Sequence, residues 1–153
     1  MKRSVGVLLG IATAAGALAG CELGHACNLM LPLCALRIDL AHEAWEPGSY
    51  SFRFSLDGEH AHCDVELFAD PATLPEVDCS NPELASVTPF AFHDLQRTPE
   101  ALYAYGSPRE AHVIVEREGV EIASGSFHPR YEVSEPNGEG CGDCENATET
   151  LAF

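Results

Sequence analysis

The run YSFRFSLDGEHAHCDVEL, residues 50–67, decides the fold of this chain. Apolar and polar side chains alternate on both sides of Asp57-Gly58, and a period of two is typical of strands with one buried face. Asp-Gly is favoured in two-residue hairpin turns, so Leu56 is expected opposite Glu59. The next apolar pairs are then Phe54 with Ala61, Phe52 with Cys63, and Tyr50 with Val65. Because the apolar faces of both strands coincide in this register, the run predicts an antiparallel hairpin.

A second hairpin is predicted around Glu118-Gly119, which separates two more alternating segments. Its expected register pairs Val115 with Ile122 and Val113 with Ser124. Further strands are expected at residues 35–40, 87–90, 127–133 and 148–153.

The segment Thr98-Pro99-Glu100 has the pattern of a helix start, with an N-cap residue followed by proline at the first helical position. It predicts one or two helical turns from Pro99 to Tyr105. Many short strands separated by Gly and Pro favour two packed sheets. The expected fold class is therefore all-β: a disulfide-stapled antiparallel β-sandwich, immunoglobulin-like or transthyretin-like, with one short helix.

The composition excludes several classes of protein. The chain has 153 residues, which is enough for one domain with a hydrophobic core. Its content of 46% hydrophobic and 8% aromatic residues is too high for a disordered chain. The net charge of −16 argues against nucleic acid as a partner, because phosphate contacts need clustered Lys and Arg.

Residues 1–20 have the pattern of an export signal. Lys2 and Arg3 precede an uncharged apolar segment, residues 4–20, that is too short to span a bilayer. The segment ends Leu18-Ala19-Gly20, and Cys21 follows. Here the chain resembles bacterial lipoproteins, whose lipobox has an apolar residue, two small residues and an invariant cysteine. The resemblance implies cleavage before Cys21, a diacylglycerol on its sulfur and an acyl group on the new amine. The alternative is an ordinary disulfide cysteine behind a plain signal.

The resemblance also implies where the protein is located. The expected organisation is a signal peptide at 1–20, a lipidated N-terminus with a short tether at 21–33, and a single β-sandwich domain at 34–153. Cleavage removes Lys2 and Arg3 but no acidic residue, so anionic headgroups repel the mature chain. The covalent lipid on Cys21 is then the membrane anchor, and no other cofactor is expected. In enteric-type lipoprotein sorting, Asp after the lipidated cysteine retains the protein at the inner membrane. Because Glu22 follows Cys21 here, the resemblance favours the outer membrane over the inner one. The domain would lie in the periplasm or at the cell surface.

Six cysteines remain once Cys21 is set apart, and they are Cys27, Cys34, Cys63, Cys79, Cys141 and Cys144. An even number in an exported chain predicts three disulfides, because the compartment beyond the inner membrane is oxidising. We expect the bridge Cys63–Cys79, with Cys27 and Cys34 paired to Cys141 and Cys144 in either order. Local bridges Cys27–Cys34 and Cys141–Cys144 are the alternative.

The spacing Cys141-Gly-Asp-Cys144 also occurs in redox and zinc sites. A redox Cys-x-x-Cys needs a helix that opens at its first cysteine, whereas the residues at 136–140, Pro-Asn-Gly-Glu-Gly, favour a turn. A zinc site needs a second pair of similar spacing. Structural disulfides are therefore the favoured interpretation.

His60 and His62 are the candidate metal ligands. They lie on one face of the predicted strand, followed on that face by Asp64 and Glu66, and imidazole with carboxylate suits zinc or copper. Against this, the predicted register places Arg53 opposite His62. There its charge disfavours a bound cation and pairs with Asp64 across the diagonal. A solvated polar face is the favoured interpretation.

The sequence carries no recognisable catalytic motif, such as a Gly-x-Ser-x-Gly elbow, His-Glu-x-x-His or a Gly-rich phosphate loop, so we do not expect an enzyme. Its last part, with Pro129-Arg130-Tyr131, Pro136-Asn137-Gly138, Cys141 and Cys144, resembles the C-terminal end of small envelope lipoproteins with β-sandwich bodies. That resemblance implies a fold and no mechanism. The expected function is that of a non-enzymatic envelope lipoprotein presenting an acidic surface to an unknown envelope protein or ligand. The alternative is a metal-binding envelope lipoprotein that uses His60 and His62.

Overall fold

The computed structural model describes residues 34–42, 44–70, 73–88, 98–136 and 142–153. Within these ranges the chain forms ten strands and no helix, which confirms the all-β prediction. The strands are β1 (Ala35–Ala41), β2 (Gly48–Leu56), β3 (Glu59–Leu67), β4 (Glu76–Cys79), β5 (Ala85–Thr88), β6 (Ala101–Tyr105), β7 (Ala111–Arg117), β8 (Val120–Phe127), β9 (Glu132–Ser134) and β10 (Cys144–Ala152). The expected signal peptide and tether, including Cys21, lie outside the described residues.

The strands form two five-stranded sheets that pack face to face. The first sheet has the order β5-β6-β1-β10-β9, and the second sheet has the order β4-β3-β2-β7-β8. Leu36 and Ile38 of the first sheet share one core with Phe52 and Phe54 of the second, and all four are at most 2% exposed. β1 and β10 are parallel neighbours, so the first sheet is mixed rather than purely antiparallel as expected. The connection from β1 to β10 passes through both sheets, which makes it long enough to allow a parallel pair.

The β2–β3 hairpin has the predicted register throughout. Leu56 pairs with Glu59, and Phe52 pairs with Cys63. The turn residue Asp57 has φ 50°, in the left-handed region that the two-residue turn requires. Local alternation and turn chemistry therefore predict the register of this hairpin correctly.

The register predicted for β7 and β8 is wrong beyond the turn. The observed pairs are Val115 with Ala123 instead of Ile122, and Val113 with Gly125 instead of Ser124. The cause is a β-bulge beside Val115, which adds one residue to β8 and so reverses the faces of the following residues. Ala123 and Phe127 consequently pack against the core, while Ile122 is 38% exposed.

Residues 101–105 form the strand β6, where the sequence predicts a helix from Pro99. This strand lies between β1 and β5, and its residues Ala101, Leu102 and Ala104 are at most 1% exposed. Ala and Leu favour helices, but two flanking strands satisfy the backbone of this buried segment on both edges. Tertiary pairing thus outweighs helix propensity here.

The other predicted strands have different outcomes. β1 contains the predicted residues 35–40, and β5 contains Val87 and Thr88, after which the described range ends. The prediction of one strand at 127–133 is wrong, because β8 ends at Phe127 and β9 begins at Glu132, with Pro129 between them. Proline cannot donate to a ladder, so it separates the two strands. β10 contains residues 148–152 but begins earlier, at Cys144.

Among the described residues, each sheet contains one disulfide between neighbouring segments of chain. In the first sheet, Cys34 immediately precedes β1 and is bonded to Cys144 of β10, at a sequence separation of 110 residues. In the second sheet, Cys63 of β3 is bonded to the directly opposed Cys79 of β4, at a separation of 16 residues. Both bonds agree with the predicted connectivity.

The bond from Cys34 to Cys144 excludes the alternative of local bridges, in which these cysteines pair with Cys27 and Cys141. Because Cys144 is bonded to Cys34, the Cys141-Gly-Asp-Cys144 motif is not a dithiol or metal-binding pair in the disulfide-bonded protein. Cys27 and Cys141 lie outside the described residues.

Candidate functional site

The outer face of the second sheet carries the polar residues of its alternating strands. In β2 and β3 every second side chain is buried in the core, so the intervening ones face solvent. Directly opposed residues share a face, which extends this outer face from β4 to β8. Its residues include Ser49, Ser51, Arg53 and Ser55 of β2, His60, His62, Asp64 and Glu66 of β3, Glu76 and Asp78 of β4, His112, Ile114 and Glu116 of β7, and Ser124 and Ser126 of β8.

Four carboxylates lie together on this face, and we name Asp64, Glu66, Glu76 and Asp78 the acidic strip. Asp64 lies directly opposite Asp78, and Glu66 lies directly opposite Glu76. Directly opposed residues have Cβ atoms about 5 Å apart, so two like-charged pairs follow one another along β3 and β4. The strip therefore concentrates negative charge at one edge of the second sheet.

Among the described residues, little offsets the repulsion within the acidic strip. Glu66 accepts a hydrogen bond of 2.5 Å from Ser49 Oγ. The described ion pairs are made by Arg37, Arg53 and Arg117, and none of them reaches a carboxylate of the strip. Directly opposed like charges destabilise a sheet, so the strip is unfavourable for the folded chain on its own.

A groove of about 710 Å³ lies on the same face beside the acidic strip, and we name it the histidine groove. Arg53, His60, His62 and His112 line it, together with the half-buried Ile114. The two halves of the outer face thus differ in chemistry. One half carries carboxylates, and the other carries imidazoles and a guanidinium around an apolar side chain. Asp64 of the acidic strip lines the groove as well, so the two halves meet at this residue.

His112 is the groove residue that the sequence does not link to His60 and His62. Ser55 pairs with His60 on one side and with His112 on the other, so the two imidazoles flank it across three strands. Nδ1 of His112 lies 2.9 Å from Ser126 Oγ. The alternation along β7 is a signal that could have placed His112 on the outer face. The pairing of β2 with β7 that brings it to the groove is not visible in the sequence.

Arg53 has a different partner from the one expected. It lies opposite His62 as predicted, but its Nη1 donates to Glu116 Oε1 at 2.9 Å rather than to Asp64. Ile114 of β7 is directly opposite Arg53, which makes Glu116 its diagonal neighbour on that side. The Arg53 side chain is 58% exposed, so this ion pair contributes little to stability.

The groove brings imidazoles to one face without forming a coordination shell. Across the described ranges, no three His, Cys, Asp or Glu side chains converge on a point where they could hold a metal ion. His112 and Ser126 form a Ser–His contact, but a nucleophilic serine needs its base oriented by a third group. The described contacts of His112 do not supply such a group. Chemically, the face offers charged and hydrogen-bonding groups to solvent.

Comparisons of this chain with models of known protein families, with curated protein sequences and with solved structures found no match. A search of the described residues found no helix long and apolar enough to cross a membrane. The geometry of the outer face is therefore the basis for assigning a function.

Proposed function

We propose that this protein is a non-enzymatic, lipid-anchored protein of the bacterial cell envelope that binds a cationic partner or ligand through its acidic strip. The observation that carries the proposal is the pair of like-charged contacts, Asp64 opposite Asp78 and Glu66 opposite Glu76. In this proposal Cys21 carries the lipid, and the domain faces the periplasm or the cell surface, with the outer membrane favoured.

The energetic reasoning concerns what a bound cation changes. Opposed like charges cost a sheet roughly 0.2–1 kcal/mol per pair. A cationic group between the carboxylates removes that repulsion and gains charge-assisted hydrogen bonds. The net charge of −16 also attracts cationic partners from a distance. A strip that is unfavourable in the isolated chain thus becomes favourable in a complex.

The test is a neutralised strip that combines Asp64→Asn, Glu66→Gln, Glu76→Gln and Asp78→Asn. We expect the free energy of unfolding at low salt to rise by about 1 kcal/mol, because two repulsive pairs are removed. We also expect the affinity for the probe, an oligolysine peptide, to fall by roughly tenfold, a loss of about 1.4 kcal/mol of binding energy. Urea denaturation measures the first quantity, and titration calorimetry measures the second.

A matched control neutralises the same number of exposed carboxylates elsewhere, by Glu-to-Gln substitution at Glu59, Glu83, Glu100 and Glu110. This control changes the net charge by the same amount and leaves the strip intact. If both variants lose affinity equally, net charge rather than the strip binds the peptide, and the proposal fails.

The anchor is tested separately with Cys21→Ser. We expect this variant to fold and to leave the membrane fraction, because the lipid is the proposed attachment and each buried CH₂ of an acyl chain contributes roughly 0.8 kcal/mol. Cell fractionation with a high-salt wash measures the attachment. Retention of the variant on washed membranes would show that the lipid assignment is wrong.

A second candidate is a zinc- or copper-binding envelope lipoprotein. It is favoured by His60 and His62 on one face with His112 in the same groove. Metal analysis of the purified protein distinguishes the two candidates. Stoichiometric zinc or copper that is lost in a His60→Ala/His62→Ala variant, but kept in the exposed control His128→Ala, would favour the metal site over the acidic strip.

A further inference from the structure

β8 is the longest of the four edge strands in the described sandwich. It has 8 residues, whereas β4 and β5 have 4 each and β9 has 3. β8 pairs with β7 on one side, and no described strand pairs with its other side. A long edge strand presents a row of backbone groups to which another strand can bond.

The ladder shows which backbone groups of β8 point outward. In an antiparallel pair, one opposed pair of residues exchanges both hydrogen bonds and the next pair exchanges neither. The N–H of Glu118 donates to the carbonyl of Ser49, so the even-numbered residues of β7 bond to β2. Ile114 is one of these residues, and Ser124, which lies opposite it, therefore directs its N–H and C=O away from β7. The same holds for Ser126.

Protection of this edge is confined to its two ends, with Pro129 just beyond Phe127 at the far end. Among the features that blunt edge strands are charges, proline and bulges. Glu121 and the β-bulge lie near the turn, whereas residues 123–127, Ala-Ser-Gly-Ser-Phe, contain no charge and no proline. Two apolar side chains beside this segment are also exposed to solvent, Val120 at 64% and Ile122 at 38%. An unprotected segment next to exposed apolar side chains is a template for strand addition.

We propose that residues 123–127 of β8 bind an extended, basic segment of a partner protein, which adds to the second sheet as a sixth strand. Charge complementarity identifies the occupant. A second copy of this chain has a net charge of −16 and is repelled by an edge flanked by Glu118 and Glu121. A segment that alternates apolar and basic residues is attracted to the same edge. The acidic strip lies on β3 and β4, at the opposite edge of the same sheet, so the two binding sites are independent.

The test uses the purified full-length chain and a blocked peptide of alternating Lys and Val as the probe. Ser124→Pro removes the outward N–H without removing a ladder bond, and proline is tolerated at such an edge position. Ser124→Ala is the matched control, because it also loses the hydrogen bond of Ser124 Oγ to Glu121 but keeps the N–H. We expect peptide binding, measured by fluorescence anisotropy, to weaken roughly tenfold in Ser124→Pro and to be unchanged in Ser124→Ala.

Hydrogen exchange locates the bound peptide. We expect the amides of Ser124 and Ser126 to gain protection when the Lys–Val peptide is added, and the neutralised acidic strip to leave this protection in place. An acidic Glu–Val peptide should bind more weakly than the Lys–Val peptide. Melting temperatures check that Ser124→Pro is folded, and Ser126→Pro serves as a second variant if it is not.

Three outcomes would overturn the proposal. The first is the absence of binding at millimolar Lys–Val peptide, and the second is protection that maps to β3 and β4 instead of β8. The third is a dimer of the chain, seen by sedimentation and lost in Ser124→Pro, which would show that a second copy occupies the edge. If the oligolysine test fails while the exchange result holds, only the acidic-strip proposal is lost.

Discussion

The two sheets of the sandwich are assembled from different kinds of contact. The second sheet is built from two hairpins, β2–β3 and β7–β8, whose strands are adjacent in sequence. The first sheet is built around β1, which bonds to β6 and β10, from distant parts of the chain. In the part of the chain that the structure describes, the first sheet has the disulfide Cys34–Cys144 and the second sheet has Cys63–Cys79. Neighbouring segments are thus bridged across very different lengths of chain, and stability should depend more strongly on the disulfide of the first sheet.

The largest expected effect on the free energy of unfolding comes from removing one disulfide at a time. We compare Cys34→Ser/Cys144→Ser with Cys63→Ser/Cys79→Ser, both in a chain in which Cys27 and Cys141 are already Ser. The long bridge restricts a loop of 110 residues in the unfolded chain, so its loss should cost about 5 kcal/mol. The short bridge spans 16 residues and should cost about 3 kcal/mol. Urea denaturation gives both free energies of unfolding.

The same two disulfides are also removed from the chain that keeps Cys27 and Cys141. If Cys27 is bonded to Cys141, that bridge restricts nearly the same loop as Cys34–Cys144, so removing the latter should cost clearly less than in the Cys27→Ser/Cys141→Ser background. An equal cost in both backgrounds would contradict a Cys27–Cys141 bond. The dependence on loop length would be contradicted if, in the Cys27→Ser/Cys141→Ser chain, removing Cys63–Cys79 lowered the free energy of unfolding more than removing Cys34–Cys144.

A medium effect is expected where the two sheets touch at β8. A Cβ added to Gly125 would lie 2.9 Å from Leu151 Cδ1 of the first sheet and 2.8 Å from Phe127 Cζ, which is closer than packed atoms tolerate. Overpacking costs about 1–3 kcal/mol, and the loss of unfolded-state entropy that favours Gly→Ala offsets about 0.4–1 kcal/mol of it. We expect Gly125→Ala to lower the free energy of unfolding by about 1 kcal/mol. Thermal denaturation measures it, and Ser124→Ala on the outer face is the control, with little expected change.

The smallest effect concerns the β2–β3 turn and appears only at acid pH. The backbone N–H groups of Arg109 and Glu110 donate to the carboxylate of Asp57 at 3.0 and 2.9 Å and hold its pKa below the ordinary value. A lowered pKa contributes stability above the ordinary carboxyl pKa, and this contribution is lost as the pH falls through the lowered value. Asp57→Asn keeps a good turn residue and should flatten the dependence of stability on pH below about pH 4.

Urea denaturation from pH 2 to pH 7 measures the effect of Asp57→Asn. The control is Glu59→Gln, which removes an exposed carboxylate beside the same turn. If the free energy of unfolding falls as steeply at acid pH in Asp57→Asn as in the unsubstituted chain, the two backbone hydrogen bonds do not favour the ionised carboxylate.

The success of the sequence predictions depends on whether a feature is specified within one short run or by packing between the two sheets. The β2–β3 register was predictable because Asp57-Gly58 and the flanking alternation specify it within one short run. The β7–β8 register was not, because the bulge places Ala123 and Phe127 against the core instead of Ile122, and that preference depends on how β8 packs on the first sheet. The candidate site divides likewise. His60 and His62 share a strand face in the sequence, whereas His112 joins them through the distant pairing of β2 and β7.

By itself the sequence determined the all-β class, the first hairpin and the polar outer face that carries His60 and His62. Those features follow from side-chain period and turn chemistry, which act over a few residues. Only the tertiary structure decided that residues 101–105 form a strand, that Cys34 bonds to Cys144, and that carboxylates of β3 and β4 oppose one another. Each of these depends on which segments become neighbours. That choice is made by burying one core between two sheets, and no local pattern records it.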